Sequence, residues 1–446
     1  MSLLKSIATA LIGTMLSATT LQAQQPWTLQ QCIEHALNHN IEAKQQQLNV
    51  ASRQRSYTAA KLGILPSVNA GASHNFTFGR AIDYMDNKVS TDLQSTNLSV
   101  GASLYLFRGL QQLRNTQQSH IDLMAAQADA DRISNNITLN IATAYMQILY
   151  STELVETQRR AVELSQMQLQ RTQQLVNAGS LPEGNRYEME AQLSTDELAL
   201  VNAENQLALA LLTLTQMLDL EQTEGFSIVR PNIDSLTADL NIPTANEVYD
   251  YAQTSMPQVR SAELRVQSTE KSIAIARGSR YPTLSLDASV GTGARSYLNS
   301  DLDGGTTYAN QFKDNMSTGV GLSLRIPIFN GLQTETNIAH AKIAHSNAQL
   351  NLQNERQQLY KAIQQAYADA IAAQKKLKAN EQQLTALRET LGYTERKYNL
   401  GLLNAIDYTT ARSKTTEAEH SLIQAKYDLL FKTKILQFYQ GLPLQM

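Results

Sequence analysis

The sequence has little of what most compact enzymes and disulfide-stapled domains are built on. One cysteine, Cys32, among 446 residues excludes an intrachain disulfide and a cysteine-rich metal site. Nine prolines, one tryptophan and 6% aromatic residues, set against abundant Gln, Ala, Leu, Asn and Thr, favour long helices over a compact mixed fold. The formal net charge of −3 supplies no excess of cations for a polyanion, so nucleic acid is disfavoured as a partner. Past the N-terminus, no apolar run has the length of a membrane-spanning helix. A chain this long ordinarily makes two or three domains, each with its own core.

Residues 1–23 read as an export signal: Lys5 precedes the apolar run 7–16, and Leu21-Gln22-Ala23 offers a small residue for cleavage before Gln24. The alternative is a buried helix. Cys32 lies beyond that cleavage site and inside a helical pattern, which argues against a lipid anchor on a new N-terminal cysteine.

The strongest internal signal is a repeat. "LYLFRGLQQLRN" from Leu104 returns as "RIPIFNGLQTETN" from Arg325, and Phe107 and Phe329, Gly109 and Gly331, and Gln111 and Gln333 all pair at one constant offset. Ala144-Tyr145 and Ala366-Tyr367, and Gly179 and Gly401, keep the same offset. Apolar residues recur every seventh position at Ile141, Ile148, Val155, Val162, Leu169 and Val176. The shifted line is Ile363, Ala370, Leu377, Leu384, Leu391 and Tyr398. A seven-residue period implies a left-handed supercoil. Between Leu110 and Asn177 there is no Pro and no Gly, which predicts one helix of roughly 100 Å at 1.5 Å per residue. Such a helix needs a partner along its length. The stretch after Pro182 supplies part of it, and shorter helices over 29–62 and 246–276 make up the difference if stacked end to end with the return arms.

Between short and long helices the period changes to two. Leu98, Val100, Ala102, Leu104 and Leu106 alternate with Asn97, Ser99, Gly101, Ser103 and Tyr105, and Val320, Leu322, Leu324, Ile326 and Ile328 alternate with Gly319, Gly321, Ser323 and Arg325. These are strands with one apolar face. Each follows another strand that begins at a proline, Pro66 or Pro282, where no ladder donor is needed. Small polar residues opposite the apolar face fit an outer-membrane barrel better than a sandwich core. Phe76, Phe78, Tyr105, Phe107, Tyr281 and Phe329 at the strand ends suit aromatic girdles at the membrane interface, although strand propensity also places aromatics there. Four strands cannot close a barrel, since the smallest membrane barrels have about eight, so several chains must share one. A soluble coiled-coil protein with a small sheet is the alternative.

The predicted fold class is therefore mainly α with β: two tandem repeats, each a long helical coiled-coil hairpin plus a two-stranded β segment. The first repeat covers 24–224, with strands about 66–78 and 96–107 and helices about 110–177 and 182–220. A linker follows at 225–244. The second repeat covers 245–446, with strands about 282–292 and 317–329 and helices about 332–399 and 404–440.

This order of elements, with the turns "LVNAGSLPEGNRYE" and "KYNLGLLNAIDYTTA", resembles the TolC-like outer-membrane factors over essentially the whole mature chain. The resemblance implies a homotrimer whose twelve-stranded barrel in the outer membrane of a Gram-negative bacterium continues into a periplasmic α-helical tunnel. It also implies two protein partners, a periplasmic adaptor (membrane fusion) protein and an inner-membrane transporter, besides outer-membrane lipid, and it places the linker in a belt around the tunnel. The tunnel tip is expected to be closed by the helical hairpins and lined by acidic residues. Carried over position by position, Asp407 matches the first acidic site, whereas Thr410 stands where some members carry a second Asp. Asn185 and Glu188 are the first-repeat counterparts of Asp407 and Thr410. Tyr398 matches a tyrosine that bridges to the neighbouring hairpin, here expected to reach the Asn185 region, and Leu403 replaces an Arg used in another bridge. Asp407 and Glu188 are equally readable as first-turn acids that complement a helix N-terminus. The tips Gly179, Ser180, Leu181 and Gly401, Leu402, Leu403 are the expected adaptor-docking surface.

No Walker A, GxSxG or HExxH pattern occurs, and no enzymatic activity or cofactor is expected. His35 and His39, four apart with Glu42 nearby, lack a third ligand of the usual set and read as a solvated pair. Asp301-Leu302-Asp303-Gly304-Gly305 begins like a calcium loop but lacks its downstream Glu and reads as a turn. His74, His120, His340, His345 and His420 form no ligand spacing, so no metal site is expected. Three functions remain: an export duct, a soluble periplasmic scaffold, and an outer-membrane receptor or adhesin, the last disfavoured by short external loops.

Overall fold

The computed structural model describes residues 26–444 apart from 83–87, 91, 222, 224, 234–240 and 299–306. The signal segment, the calcium-like turn 301–305 and part of the linker lie outside the described residues. The first repeat comprises α1 (Leu29–His39), α2 (Ile41–Leu62), β1 (Ser67–Thr77), β2 (Arg80–Ile82), β3 (Lys88–Ser90), β4 (Leu93–Arg108), α3 (Gln111–Asn177) and α4 (Gly184–Met217). The second comprises α5 (Ala245–Ser255), α6 (Pro257–Gly278), β5 (Thr283–Tyr297), α7 (Tyr308–Asp314), β6 (Ser317–Arg325), α8 (Gln333–Asn399) and α9 (Ala405–Tyr439). The two long helices have 67 residues each. Two compact units result, one of Met1–Gln47, Ala130–Pro257 and Arg356–Met446 and the other of Leu48–Asp129 and Gln258–Glu355.

The predicted single short helices are each two helices. Asn40, with ψ of 135°, ends α1 through its backbone, and its Oδ1 accepts the Glu42 amide at 2.9 Å, so one residue ends one helix and caps the next. In the second repeat Met256 is extended, as a residue before proline tends to be, and Pro257 occupies the first turn of α6. Two unlike devices thus make the same break at Asn40 and at its counterpart Met256. The capping boxes Thr28–Gln31 and Thr244–Glu247 are related by that same offset. So are Pro66 and Pro282. The longer offset that relates Gly109 to Gly331 takes over at the second strand of each repeat, because the loop before β6 is longer than the loop before β4.

In the first unit, Ile141, Tyr145, Ile148 and Leu149 of α3 pack with Leu29, Cys32 and Ile33 of α1, Leu214 of α4 and Leu430 of α9. The Tyr145 hydroxyl donates to the carbonyls of Val229 (2.7 Å) and Trp27 (3.2 Å), tying down the bridge between Trp27 and Ile228. Burial pushes the Cys32 thiol up to about 12, which leaves it protonated and inert.

In the second unit, one antiparallel sheet runs in the order β1-β4-β5-β6, so β1 and β6 are open edges. Its apolar row, including Val68, Leu98, Val100, Val320, Leu322 and Leu324, is exposed. β5 extends to Tyr297, past the expected end at 292, and β6 stops at Arg325. Pro327, which has no amide to donate, follows that early stop. Two further elements lie in the loops between the strands. β2 and β3 form a small hairpin. α7 is clasped to β5 by Gln311, whose amide group pairs with both backbone groups of Arg295 at 2.9 Å.

The strand-to-helix junctions explain the repeated "GLQ". Gly109 and Leu110, and Gly331 and Leu332, all have φ between 55° and 64°, a consecutive left-handed pair that turns each strand into a long helix. One expectation is corrected: α4 contains an 18-residue window of mean hydropathy 1.3, long and apolar enough to cross a membrane by composition alone. Leu198, Val201 and Leu209 on this helix are exposed in the single chain.

Candidate functional site

Both long helices end in the same way. Gly179 (φ 73°) and Gly401 (φ 72°) donate to Val176 and Tyr398, and the following amides of Ser180 and Leu402 reach back to Leu175 and Lys397 at 2.9 Å. This pairing stops a helix with a left-handed residue that glycine adopts without steric cost. The return helices start differently. Asn404 caps α9 by accepting the Asp407 amide at 2.8 Å, whereas Glu183 makes no side-chain cap and α4 begins at Gly184, just after the expected start at Pro182. Gly179, Ser180, Gly401 and Leu402 are exposed, and Leu181 and Leu403 are half-buried.

Asp407 is exposed in the first turn of α9 and Thr410 is exposed one turn later. Asn185 and Glu188 are half-buried in the first turns of α4, and Glu188 Oε2 has no hydrogen-bond partner among the described residues. Tyr398 differs from expectation within the chain. Its ring stacks on Tyr408 at 4.9 Å and its hydroxyl lies 3.4 Å from Thr172 Oγ1 rather than at Asn185, because Tyr398 faces α3 and not the start of α4. The six strand-end aromatics are all exposed.

Behind the tip lies a buried polar seam that sequence reasoning missed. Gln158, Ser165 and Thr172 of α3 are buried at seven-residue intervals, with Gln168 between them. Gln168 donates to the Tyr408 hydroxyl at 3.2 Å. Arg412 of α9 donates to Ser165 Oγ (2.8 Å), the Ala161 carbonyl (2.6 Å) and Asp196 Oδ2 of α4 (3.0 Å). Ser165 also bonds Asp196, and Gln192 donates to the other Asp196 oxygen at 2.9 Å. The seven-residue recurrence of Gln158, Ser165 and Thr172 could have flagged the α3 side, but nothing in the sequence pairs it with Arg412.

His420 continues the seam. Gln158 Nε2 lies 3.0 Å from His420 Nε2, and with the amide in this orientation the ring nitrogen accepts, as a neutral imidazole does. Burial holds its pKa below the ordinary histidine value, with Glu419 and Glu417 pulling the other way. The unfolded chain therefore binds this proton first. His420 contributes stability that is present above the unfolded histidine value and lost as pH falls through the folded one. Urea unfolding at pH 7.5 and 5.5 should show a loss of stability at the lower pH that is smaller in His420→Gln; an equal loss in both proteins would remove His420 from the account.

The sequence pattern of the family described as outer membrane efflux protein matches residues 32–219 and 248–441. The chain belongs to that family. It is similar to outer membrane protein TolC of Escherichia coli, at 23% identity over 96% of this chain and 84% of the relative. It is also similar to the proteases secretion protein PrtF of Dickeya chrysanthemi, at 24% identity over 89% and 86%. A crystal structure of CusC shares the fold with a TM-score of 0.77 and 17% identity, covering 93% of this chain and 92% of that one. The family consists of outer-membrane channels rather than enzymes, and membership selects the duct over the scaffold and the receptor. The protein is an outer-membrane exit duct of an efflux or secretion system in a Gram-negative cell.

Proposed function

We propose that three copies of the chain close one twelve-stranded barrel and one periplasmic helical tunnel, through which solutes delivered by an inner-membrane transporter and a periplasmic adaptor leave the cell. The observation that carries this reading is the four-stranded sheet with two unpaired edges and an exposed apolar row. Open edges are not tolerated in lipid, and closure is the way to remove them. The exposed strand-end aromatics then lie at the two interfaces with outer-membrane lipid, and the linker joins the belt around the tunnel.

In this assembly Asp407 forms a ring about the threefold axis, with Glu188 and Asn185 beside it and Thr410 one turn inward. Like charges at 4 Å repel by about 1 kcal/mol per pair even in water, so the ring favours cations and needs a latch, which Tyr398 helps to supply through Tyr408 and Thr172. Single-channel recording tests the ring: Asp407→Ala should lower the cation-to-anion permeability ratio and relieve block by multivalent cations. An unchanged ratio would mean that Asp407 is only a helix-end acid.

The tips, with Gly179, Ser180, Gly401 and Leu402 exposed and Leu181 and Leu403 half-buried, are the adaptor-docking surface in this reading. Ser180→Arg combined with Leu402→Arg should abolish crosslinking to the adaptor while leaving the assembly intact. Undiminished crosslinking would take these tips out of the interface.

A further inference from the structure

The internal duplication fixes how neighbouring strands pair, and that rule can be tested inside one chain. Ser67 of β1 lies opposite Ser103 of β4, and Gly71 lies opposite Ser99. Carrying β1 forward by the offset that relates Pro66 to Pro282, and β4 by the offset that relates Gly109 to Gly331, names the pairs Thr283–Arg325 and Asp287–Gly321. Both are the pairs observed between β5 and β6. The two offsets therefore transfer register from one repeat to the other without slippage.

The same operation applies to the pairing that joins the repeats. β4 meets β5 with Gly101 opposite Ser289, Val100 opposite Val290 and Leu98 opposite Thr292. Moved forward by the β4 offset, these β4 residues become Ser323, Leu322 and Val320 of β6. Moved back by the β1 offset, the β5 residues become Ser73, His74 and Phe76 of β1. Within one chain β6 and β1 are the two outer strands of the sheet, so they meet only if a second copy supplies one of them.

We propose that β6 pairs antiparallel with β1 of a second copy of this chain, with Ser323 opposite Ser73, Leu322 opposite His74 and Val320 opposite Phe76. This rests on the shared-barrel reading and adds the register to it. The faces agree: Leu322, Val320 and Leu324 meet His74, Phe76 and Ala72 on the apolar side, while Ser323 and Gly321 meet Ser73 and Asn75 on the polar side. A one-residue slip would turn one strand's apolar side chains to the polar face, so the competing registers are those displaced by two. Beyond the end of β6, the shifted pair Phe107–Leu284 becomes Phe329 beside Val68 of the second copy. Phe329 and Val68 are 82% and 65% exposed in the single chain, and this contact covers both.

Cysteine crosslinking tests the register in the full-length protein, in which Cys32 is buried and free. Facing residues in an antiparallel pair alternate between wide and close separations, so two adjacent pairs are made: Ser73→Cys with Ser323→Cys, and His74→Cys with Leu322→Cys. The displaced controls are Asn75→Cys with Ser323→Cys and Phe76→Cys with Leu322→Cys. On mild oxidation at least one of the two predicted pairs should link chains covalently about tenfold more efficiently than the displaced controls, because a disulfide tolerates only a narrow Cα separation. Preferential linkage of a control pair in a protein that is still oligomeric by mass would overturn the register alone. Absence of any interchain linkage in a protein that is monomeric by mass would overturn the shared-barrel reading and the register with it.

Discussion

Replacing Arg412 by Ala should destabilise the hairpin end of the molecule by about 3–5 kcal/mol, the usual cost of removing one partner of a buried ion pair. The Arg412 side chain is only 5% exposed and that of Asp196 13%, so truncation leaves a mostly buried carboxylate without its counter-ion, held by Ser165 and Gln192 alone. It also strips donors from Ser165 and from the Ala161 carbonyl. Arg412→Lys should recover only part of this loss, since one ammonium cannot reach three partners on two helices with a planar fork's geometry. Replacing both charges by apolar residues of similar size, Arg412→Met with Asp196→Leu, should return stability to within about 1 kcal/mol of the wild type or better. Urea unfolding followed by hydrogen exchange in α3, α4 and α9 separates these cases. Equal losses in the single and double variants would mean that the charges are not what binds the three helices.

The second large effect belongs to Gly109. A Cβ built there collides with the Gly278 carbonyl oxygen, and the residue has φ of 55°. Gly109→Ala therefore combines a left-handed penalty with backbone overpacking, together about 2–5 kcal/mol. Gly401 provides the comparison, because its φ is 72° but nothing lies within 4 Å of the added Cβ. Gly401→Ala should cost only the conformational penalty, about 1–2 kcal/mol. Thermal unfolding of both variants in detergent measures the difference, and equal midpoints would show that the approach of Gly109 to Gly278 is not under constraint.

These two sites differ in how far their sequence announces them. Gly109 sits in a repeated "GLQ" whose offset marks it as a junction, although the reason for the glycine is the carbonyl of Gly278, which belongs to the other repeat. The long helices were readable because Ile141, Ile148 and Val155 repeat every seven residues over a stretch without Gly or Pro. The strands were readable because Leu98, Val100 and Val320, Leu322 alternate with small polar residues. The breaks at Asn40 and Met256 were not. An Asn in a Gln- and Asn-rich stretch carries no special signal, and a proline at Pro257 is compatible with a helix that merely starts there. α7 is seven residues of mixed polarity, too short for any period to register.

Arg412 illustrates a further limit. Read along α9 it is one basic residue on a helix with many charges, indistinguishable from a solvated one. Its burial is created by Ser165 and Asp196, both in the other repeat and far along the chain. A polar residue's environment is set by tertiary partners, and neither spacing nor composition encodes them. The same holds for Tyr398, whose position follows from the repeat but whose hydroxyl meets Thr172 across the α3 contact.

Closure of the sheet by other copies of the chain is the claim on which the duct depends. The most direct measurement is the mass of the homogeneous particle extracted from outer membranes in mild detergent, corrected for bound detergent. Three chains per particle and no stable inserted monomer are expected; a monodisperse particle of one chain would contradict closure.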